Sequence, residues 1–427
     1  MAKNTDISLQ KQTIYSIYVR SHTPEGSFQA VIPDLDRIRE LGADIIWLMP
    51  IHPIGEKGKK GSLGCPYSIR DYRAVNPAYG TIEDFQALAD AVHARGMKLM
   101  IDVVYNHSSR DSVLLEQHPE FYWRDAVGNV GNKVGDWSDV LDLDYRVPAL
   151  WDYQIETLKY WAEIVDGFRC DVASFVPVEF WKRARAEVET VRPGCIWLAE
   201  TVHLRFGNRY RREGNYAARD SEAFEAFDVE YEYDVREAFD RYLRGETPLS
   251  TWMELLNYQE GVYPPNYNKL RFLENHDQPR IASRVTDEGE LVNYTALLYF
   301  LKGTTLLYAG QEFENDHLPS LFEREPISRD TGRDLTPLLR TLADIKRGAL
   351  GADDGFDAWA DDENDIAVME RSNHEGRKFG IFSLKSKTAE IPVSAPDGDY
   401  LNLIDGSAVP VREGKTLCCG RPMIFII

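Results

Sequence analysis

An α/β fold closed as a (β/α)8 TIM barrel is what this sequence predicts, and three observations carry the prediction. Eight short apolar runs alternate with longer amphipathic stretches between residues 13 and 347. The amphipathic stretches at 32–42 and 81–96 each end in a glycine suited to closing a helix. No G-x-G-x-x-G follows any of the runs, which weighs against the alternative, an open doubly wound sheet.

The eight runs are residues 13–20, 43–50, 98–105, 165–172, 195–201, 225–231, 270–276 and 304–310. Strands that alternate with helices pair in parallel through right-handed crossovers, and eight such repeats close a barrel. After the third strand, residues 107–147 carry aromatics, glycine and aspartate without helical period, so a short excursion domain is expected there. After 350 the pattern changes to acidic turns and short alternating runs such as KFGIFSL and MIFII, the signature of a small antiparallel β domain. The expected organisation is therefore a catalytic barrel over 1–350, with the 107–147 excursion inside it, and a β domain over 351–427.

Composition excludes several functions. With 43% hydrophobic and 11% aromatic residues the 427-residue chain buries a large core and is not disordered. Its 49 basic and 69 acidic residues leave a net charge of −20, which argues against nucleic acid or an anionic membrane as partner. The N-terminal MAKNTDISLQKQ lacks the apolar core of a secretory signal, and no run approaches the length of a membrane span. Five cysteines without a C-x-x-C pair suit reduced thiols, so the expectation is a cytoplasmic protein. Oligomeric state is left open.

The chemistry lies where the runs end. GFRCDVAS (Gly167 to Ser174) places Arg169 and Asp171 two residues apart, so alternation sends both side chains to one face. A guanidinium beside a carboxylate favours its ionised form and fixes its orientation. DVVYNH, WLAET and FLENHD end three other strands and supply Asp102, Asn106, His107, Glu200, His276 and Asp277. In a barrel the carboxyl ends of the strands meet at one mouth, which gathers Asp171, Glu200 and Asp277. Such a set either binds a metal or divides nucleophile and acid in glycoside hydrolysis. The apolar Trp197, Leu198 and Ala199 before Glu200, together with nearby carboxylates, favour its protonated form. His107 and His276 are read as hydrogen-bond partners for hydroxyls. Tyr67, in GCPYSIRDYRAVNP, offers a ring for an apolar sugar face.

These four segments, in this order and spacing, resemble the motifs of the α-amylase family, glycoside hydrolase family 13, across the whole barrel. The resemblance implies Asp171 as nucleophile, Glu200 as acid/base and Asp277 as transition-state stabiliser. It places Tyr67, His107, Arg169 and His276 around the attacked sugar, with Asp102 supporting from below. The implied mechanism is retaining, with about 5–5.5 Å between the Asp171 and Glu200 carboxyls. The implied substrate is a maltooligosaccharide or starch-like α-glucan cleaved at α-1,4 bonds. Transfer of the sugar to another sugar or to phosphate is the alternative, and a silent amylase-like binding module is a further one. The sequence departs from the family at Ser174 and Phe175, where many members carry Lys-His. No cofactor or metal is therefore expected, Asn106 being the ligand position if calcium were bound. GDWSDVLDLDY resembles the family's excursion motif, with Trp137 either a cleft wall or a packing aromatic.

Overall fold

The computed structural model describes residues 4–352 and 354–427. Among them, β1 (Thr13–Ile17), β2 (Ile45–Leu48), β3 (Lys98–Val103), β4 (Gly167–Cys170), β5 (Ile196–Ala199), β6 (Val229–Tyr231), β7 (Lys269–Arg271) and β8 (Thr304–Tyr308) form a closed barrel. Every pairing is parallel and joins strands adjacent in sequence, with β8 returning to β1.

Each of the eight apolar runs overlaps one of these strands, β7 beginning one residue before its run, and all the ladders except that of β6 stop short of the run's end. Apolar residues continue past the last pair because the barrel mouth is roofed by its own loops. Tyr18, Val19, Met49 and Tyr105 all lie just beyond a strand and are buried there. Val19 already belongs to a helical turn, Val19–His22.

Alternation along the strands builds the interior. Trp47, Met100, Leu198 and Tyr231 pack together inside the barrel. Gly167 lies in register with both Met100 and Ile196. A Cβ at Gly167 would lie 2.8 Å from the Ile196 carbonyl oxygen and 3.2 Å from Met100 Cε, so close packing demands glycine here. Two residues further along each strand the same inward face becomes ionic: Met100 gives way to Asp102, Gly167 to Arg169 and then Asp171, and Leu198 to Glu200.

The 81–96 pattern forms the helix Ile82–Ala94, started by a Thr81–Asp84 capping box and closed at Gly96, whose φ is 69°. It buries Phe85, Leu88, Ala89 and Val92 against the barrel. The 32–42 pattern is not one helix. A 3-10 turn, Ile32–Asp34, precedes the helix Leu35–Glu40, because Pro33 suits a first turn and not an interior. The excursion is held by an antiparallel pair, His107–Ser109 with Val140–Asp142, and contains the short helix Val113–Gln117, which the aperiodic sequence did not suggest.

At the C-terminus, Gly355–Asp361, Ile366–Asn373, Gly376–Ser383 and Met423–Ile426 form an antiparallel sheet. Asn293 joins the barrel helix Glu288–Phe300 to this region: its Oδ1 accepts from Ser383 N at 2.9 Å and its Nδ2 donates to Gly420 O at 3.0 Å. No helix is long and apolar enough to cross a membrane among the described residues.

Candidate active site

Arg169 organises the barrel mouth. Its guanidinium has no solvent exposure and lies over the rings of Trp47, Tyr67 and Tyr231, at 5.3, 5.6 and 5.4 Å. One terminal nitrogen, Nη1, donates to Asp102 Oδ1 and Asp171 Oδ1, each at 2.9 Å. The other, Nη2, lies 2.9 Å from Glu200 Oε2 as an ion-pair contact without an aligned hydrogen bond. One cation thus gathers three carboxylates from β3 and from the ends of β4 and β5.

The chain turns sharply after Asp171. Val172 adopts φ 35° and ψ 43°, a left-handed conformation that costs a β-branched residue about 1–2 kcal/mol. This turn aims the Val172 N–H at Glu200 Oε2, 2.8 Å away. The 3-10 turn Ala173–Phe175 follows, and Phe175 stacks on Tyr210 at 4.1 Å instead of facing the mouth.

A second chain of contacts approaches from the opposite side. Tyr67 donates its hydroxyl to Asp102 Oδ2 at 2.9 Å, and the same oxygen lies 2.8 Å from His276 Nε2, with the two rings stacked. His276 Nε2 is also 3.1 Å from Asp277 Oδ2. Asp277 N donates to Asn275 Oδ1 at 2.8 Å, which holds this strand end in a tight turn. Asn106 Nδ2 lies 3.1 Å from His107 Nδ1, and Tyr72 donates its hydroxyl to the His107 carbonyl at 2.7 Å.

These contacts surround a cleft of about 250 Å³. Tyr67, His107, Trp137, Asp171, Glu200 and Asp277 line it. Asp102, Arg169 and His276 lie beneath, buried, and position the residues above them. Trp137 combines both expected roles: it faces the cleft and also packs against His107, Phe175 and Phe206. Sequence reasoning did not single out Lys60, Cys65, Val140, Val172, Leu321 or Phe322, which complete the lining together with Asp139. Apart from Val172, which ends the 165–172 run, and Val140, in the excursion strand Val140–Asp142, they come from loops without periodicity. Trp47 and Tyr231, under Arg169, were accessible from strand alternation.

Burial and charge separate the carboxyls. Burial pushes Glu200 up to about 8, with Arg169 opposing and Asp171 and Asp277 adding to the rise. Asp171 is also lifted by burial, to about 6, although Arg169 pulls it down and Asp102 pushes it up. The Arg169 guanidinium thus offsets much of the desolvation of Asp171 but not all of it. Asp102 stands at about 6 for the same reason. For Asp277 burial raises the value, but the neighbouring His276 outweighs it and leaves the carboxyl below its ordinary range. Its side chain is 42% exposed, so water screens part of this effect. Burial lowers His107, which stays neutral. At neutral pH Asp171 is ionised and Glu200 carries its proton.

The oxygens of the excursion residues Asp136 and Asp139 do not form a calcium site. Lys60 Nζ donates to the Asp136 carbonyl at 2.9 Å and lies 3.1 Å from Asp139 Oδ1. An ammonium thus stands where carbonyl and carboxylate oxygens converge, the donor types that calcium prefers.

A barrel whose mouth separates carboxyls in this way belongs with the glycoside hydrolases, and likeness to known proteins identifies the group. Residues 4–126 and 134–355 match the family model "Alpha amylase, catalytic domain", and 358–425 match "Bacterial Alpha amylase C-terminal domain". The chain belongs to the α-amylase family, glycoside hydrolase family 13. It is similar to an α-amylase structure from Lactobacillus plantarum, with 42% identity, 99% of this chain and 100% of that one covered, and a TM-score of 0.95. The noncanonic maltogenic α-amylase AmyB from Thermotoga neapolitana is 29% identical, with 98% and 99% covered and a TM-score of 0.87. The probable oligo-1,6-glucosidase 2 of Bacillus subtilis is 27% identical over 374 residues, 72% of this chain and 65% of that protein. The chain thus spans less than two thirds of the length of that curated relative.

Proposed function

We propose that the protein cleaves α-1,4-glucosidic bonds of maltooligosaccharides or starch-like α-glucans with retention of configuration. Asp171 attacks the anomeric carbon and forms a glycosyl-enzyme. Glu200 protonates the departing oxygen, then as a carboxylate takes a proton from the water that releases the sugar. Asp277 stabilises the positive charge that develops on the ring, while Tyr67, His107 and Trp137 contact the sugar. The observation that supports this reading best is the shared guanidinium: Asp171 and Glu200 rest on the two ends of Arg169 at 2.9 Å, yet burial leaves one ionised and the other protonated. The maltogenic and α-amylase names of similar structures agree with such a substrate. Action inside the cell is part of the proposal. It rests on five free thiols and on similarity to an intracellular maltogenic amylase of Bacillus subtilis.

The test is product analysis with maltotetraose. Proton NMR of the first turnovers should show the α-anomer, and added glucose or phosphate should not divert the products. A first-formed β-anomer would refute retention, and dominant transfer to glucose or phosphate would refute hydrolysis.

A further inference from the structure

The chain carries a net charge of −20, and against that background one cavity outside the catalytic cleft is cationic. It measures about 250 Å³ and lies behind the wall that the loops after β2 and β8 raise beside the cleft. Arg20, Lys59, Arg70 and Arg324 line it, opposed by one carboxylate, Glu56. Glu56 is taken by Lys59 at 2.6 Å. Three guanidiniums are then uncompensated: among the described residues none of Arg20, Arg70 and Arg324 forms an ion pair with a carboxylate.

Arg20 is only 4% exposed. It donates to the carbonyls of Gly64 and Leu321 through Nη1 and of Leu63 through Nη2, all at 3.1 Å, so its direct hydrogen-bond acceptors are neutral and the Glu323 carboxylate feels its charge only from a distance. Tyr79, 1% exposed, also lines the cavity, and its hydroxyl lies beside the Tyr18 hydroxyl and the Arg20 guanidinium. Arg70 and Arg324 stand exposed at the cavity, so their guanidiniums are open to a ligand. The planar forks of arginine match an anion with several oxygens, a phosphate above all, and a phenol hydroxyl adds a neutral donor.

We propose that this cavity binds a phosphate group, free or carried by a sugar phosphate. The site backs onto the cleft: Arg20 donates to carbonyls of both wall loops, and Leu321, whose carbonyl accepts one of these bonds, lines the substrate cleft on the other side.

The experiment is isothermal titration calorimetry of the full chain at low ionic strength with inorganic phosphate and, separately, glucose 6-phosphate, with chloride at matched ionic strength as control. One saturable site per chain is expected, weakened at least tenfold in the Arg70→Gln/Arg324→Gln double variant, with maltotetraose hydrolysis unchanged. Binding of both ligands identifies a site for the phosphate alone, and binding of glucose 6-phosphate only identifies one that also reads the sugar. Absence of saturable binding by either ligand overturns the proposal. So does equal affinity in the double variant, or displacement of the ligand by saturating maltotriose in an Asp171→Asn background, which would locate it in the catalytic cleft.

Discussion

Replacing Arg169 with methionine removes the one cation shared by Asp102, Asp171 and Glu200 while keeping a long apolar side chain between Trp47 and Tyr231. Each contact brings a charged nitrogen within 2.9 Å of a carboxylate oxygen. A pair of unit charges about 4 Å apart contributes about 4 kcal/mol at an effective dielectric constant of about 20. That corresponds to about 3 pKa units at 1.36 kcal/mol per unit. Asp171 stands at about 6 with the arginine present, so its loss drives the carboxyl well above neutrality, and a protonated Asp171 cannot attack. The acid limb of kcat/KM on maltotetraose should therefore move up by at least one pH unit, with activity at pH 7 largely lost. Stability should follow the same sign. Asp102 and Asp171 have folded-state values near 6 against an ordinary 3.8, so their burial weakens the fold as pH rises from 3.8 through 6. Without Arg169 that window extends upward, and the fall in Tm relative to the native protein should be larger at pH 8 than at pH 5. An acid limb within half a unit of the native one, or a Tm difference independent of pH, would show that Arg169 does not set the charge of this cluster.

In the native protein the pH profile should be bell-shaped: activity falls with acid as Asp171 protonates near 6 and with base as Glu200 ionises near 8, these being macroscopic values of a coupled pair. A profile lacking either limb between pH 5 and 9 would contradict the assigned roles. Asp171→Asn and Glu200→Gln should each lower kcat by several orders of magnitude with no fall in Tm at pH 7, since the first relieves repulsion among the carboxylates, the second replaces a carboxyl that is already neutral there, and neither opens a cavity; retention of a tenth of the activity would reassign the site. Tyr67→Phe, which breaks the hydroxyl bridge between Asp102 and His276, should destabilise by about 1–3 kcal/mol in urea titration and raise KM. Chelator treatment should leave Tm unchanged, whereas Lys60→Met should lower it modestly, by about 1 kcal/mol for a partly exposed pair; a large fall with chelator would restore a structural cation.

Much of this architecture is readable from residue order. Strands such as β2 and β5 were legible because they are apolar on both faces, as a parallel sheet covered by helices requires, whereas β6 and β7 carry Glu230, Lys269 and Arg271 and showed only through the apolar residues flanking them. The strand ends were not legible, since residues such as Met49 and Tyr105 stay buried under loops after the ladder stops. Asp102, Arg169, Asp171 and Glu200 were legible because period-two alternation aims them together once the barrel closes. Asp277 lies beyond the end of β7, and its place depends on the Asn275 turn. The contributions of Lys60, Leu321 and Phe322 were hidden because they arise where two irregular loops meet, and no local pattern encodes that meeting. The handedness of Val172 was hidden too, since a β-branched residue is a poor choice for a left-handed turn and only the surrounding contacts enforce it.

The mouth of the barrel carries more negative charge than Arg169 neutralises. With Asp102, Asp171 and Asp277 ionised at neutral pH and Glu200 protonated, the resting cluster retains an anionic excess even when His276 is counted as a cation. A sugar-shaped ring bearing a basic nitrogen meets that excess directly, because its protonated form resembles the charge a departing glycoside develops. Amine-containing ring compounds should therefore be retained far better than neutral sugars of equal size, and their hold should slacken in acid as Asp171 takes up its proton.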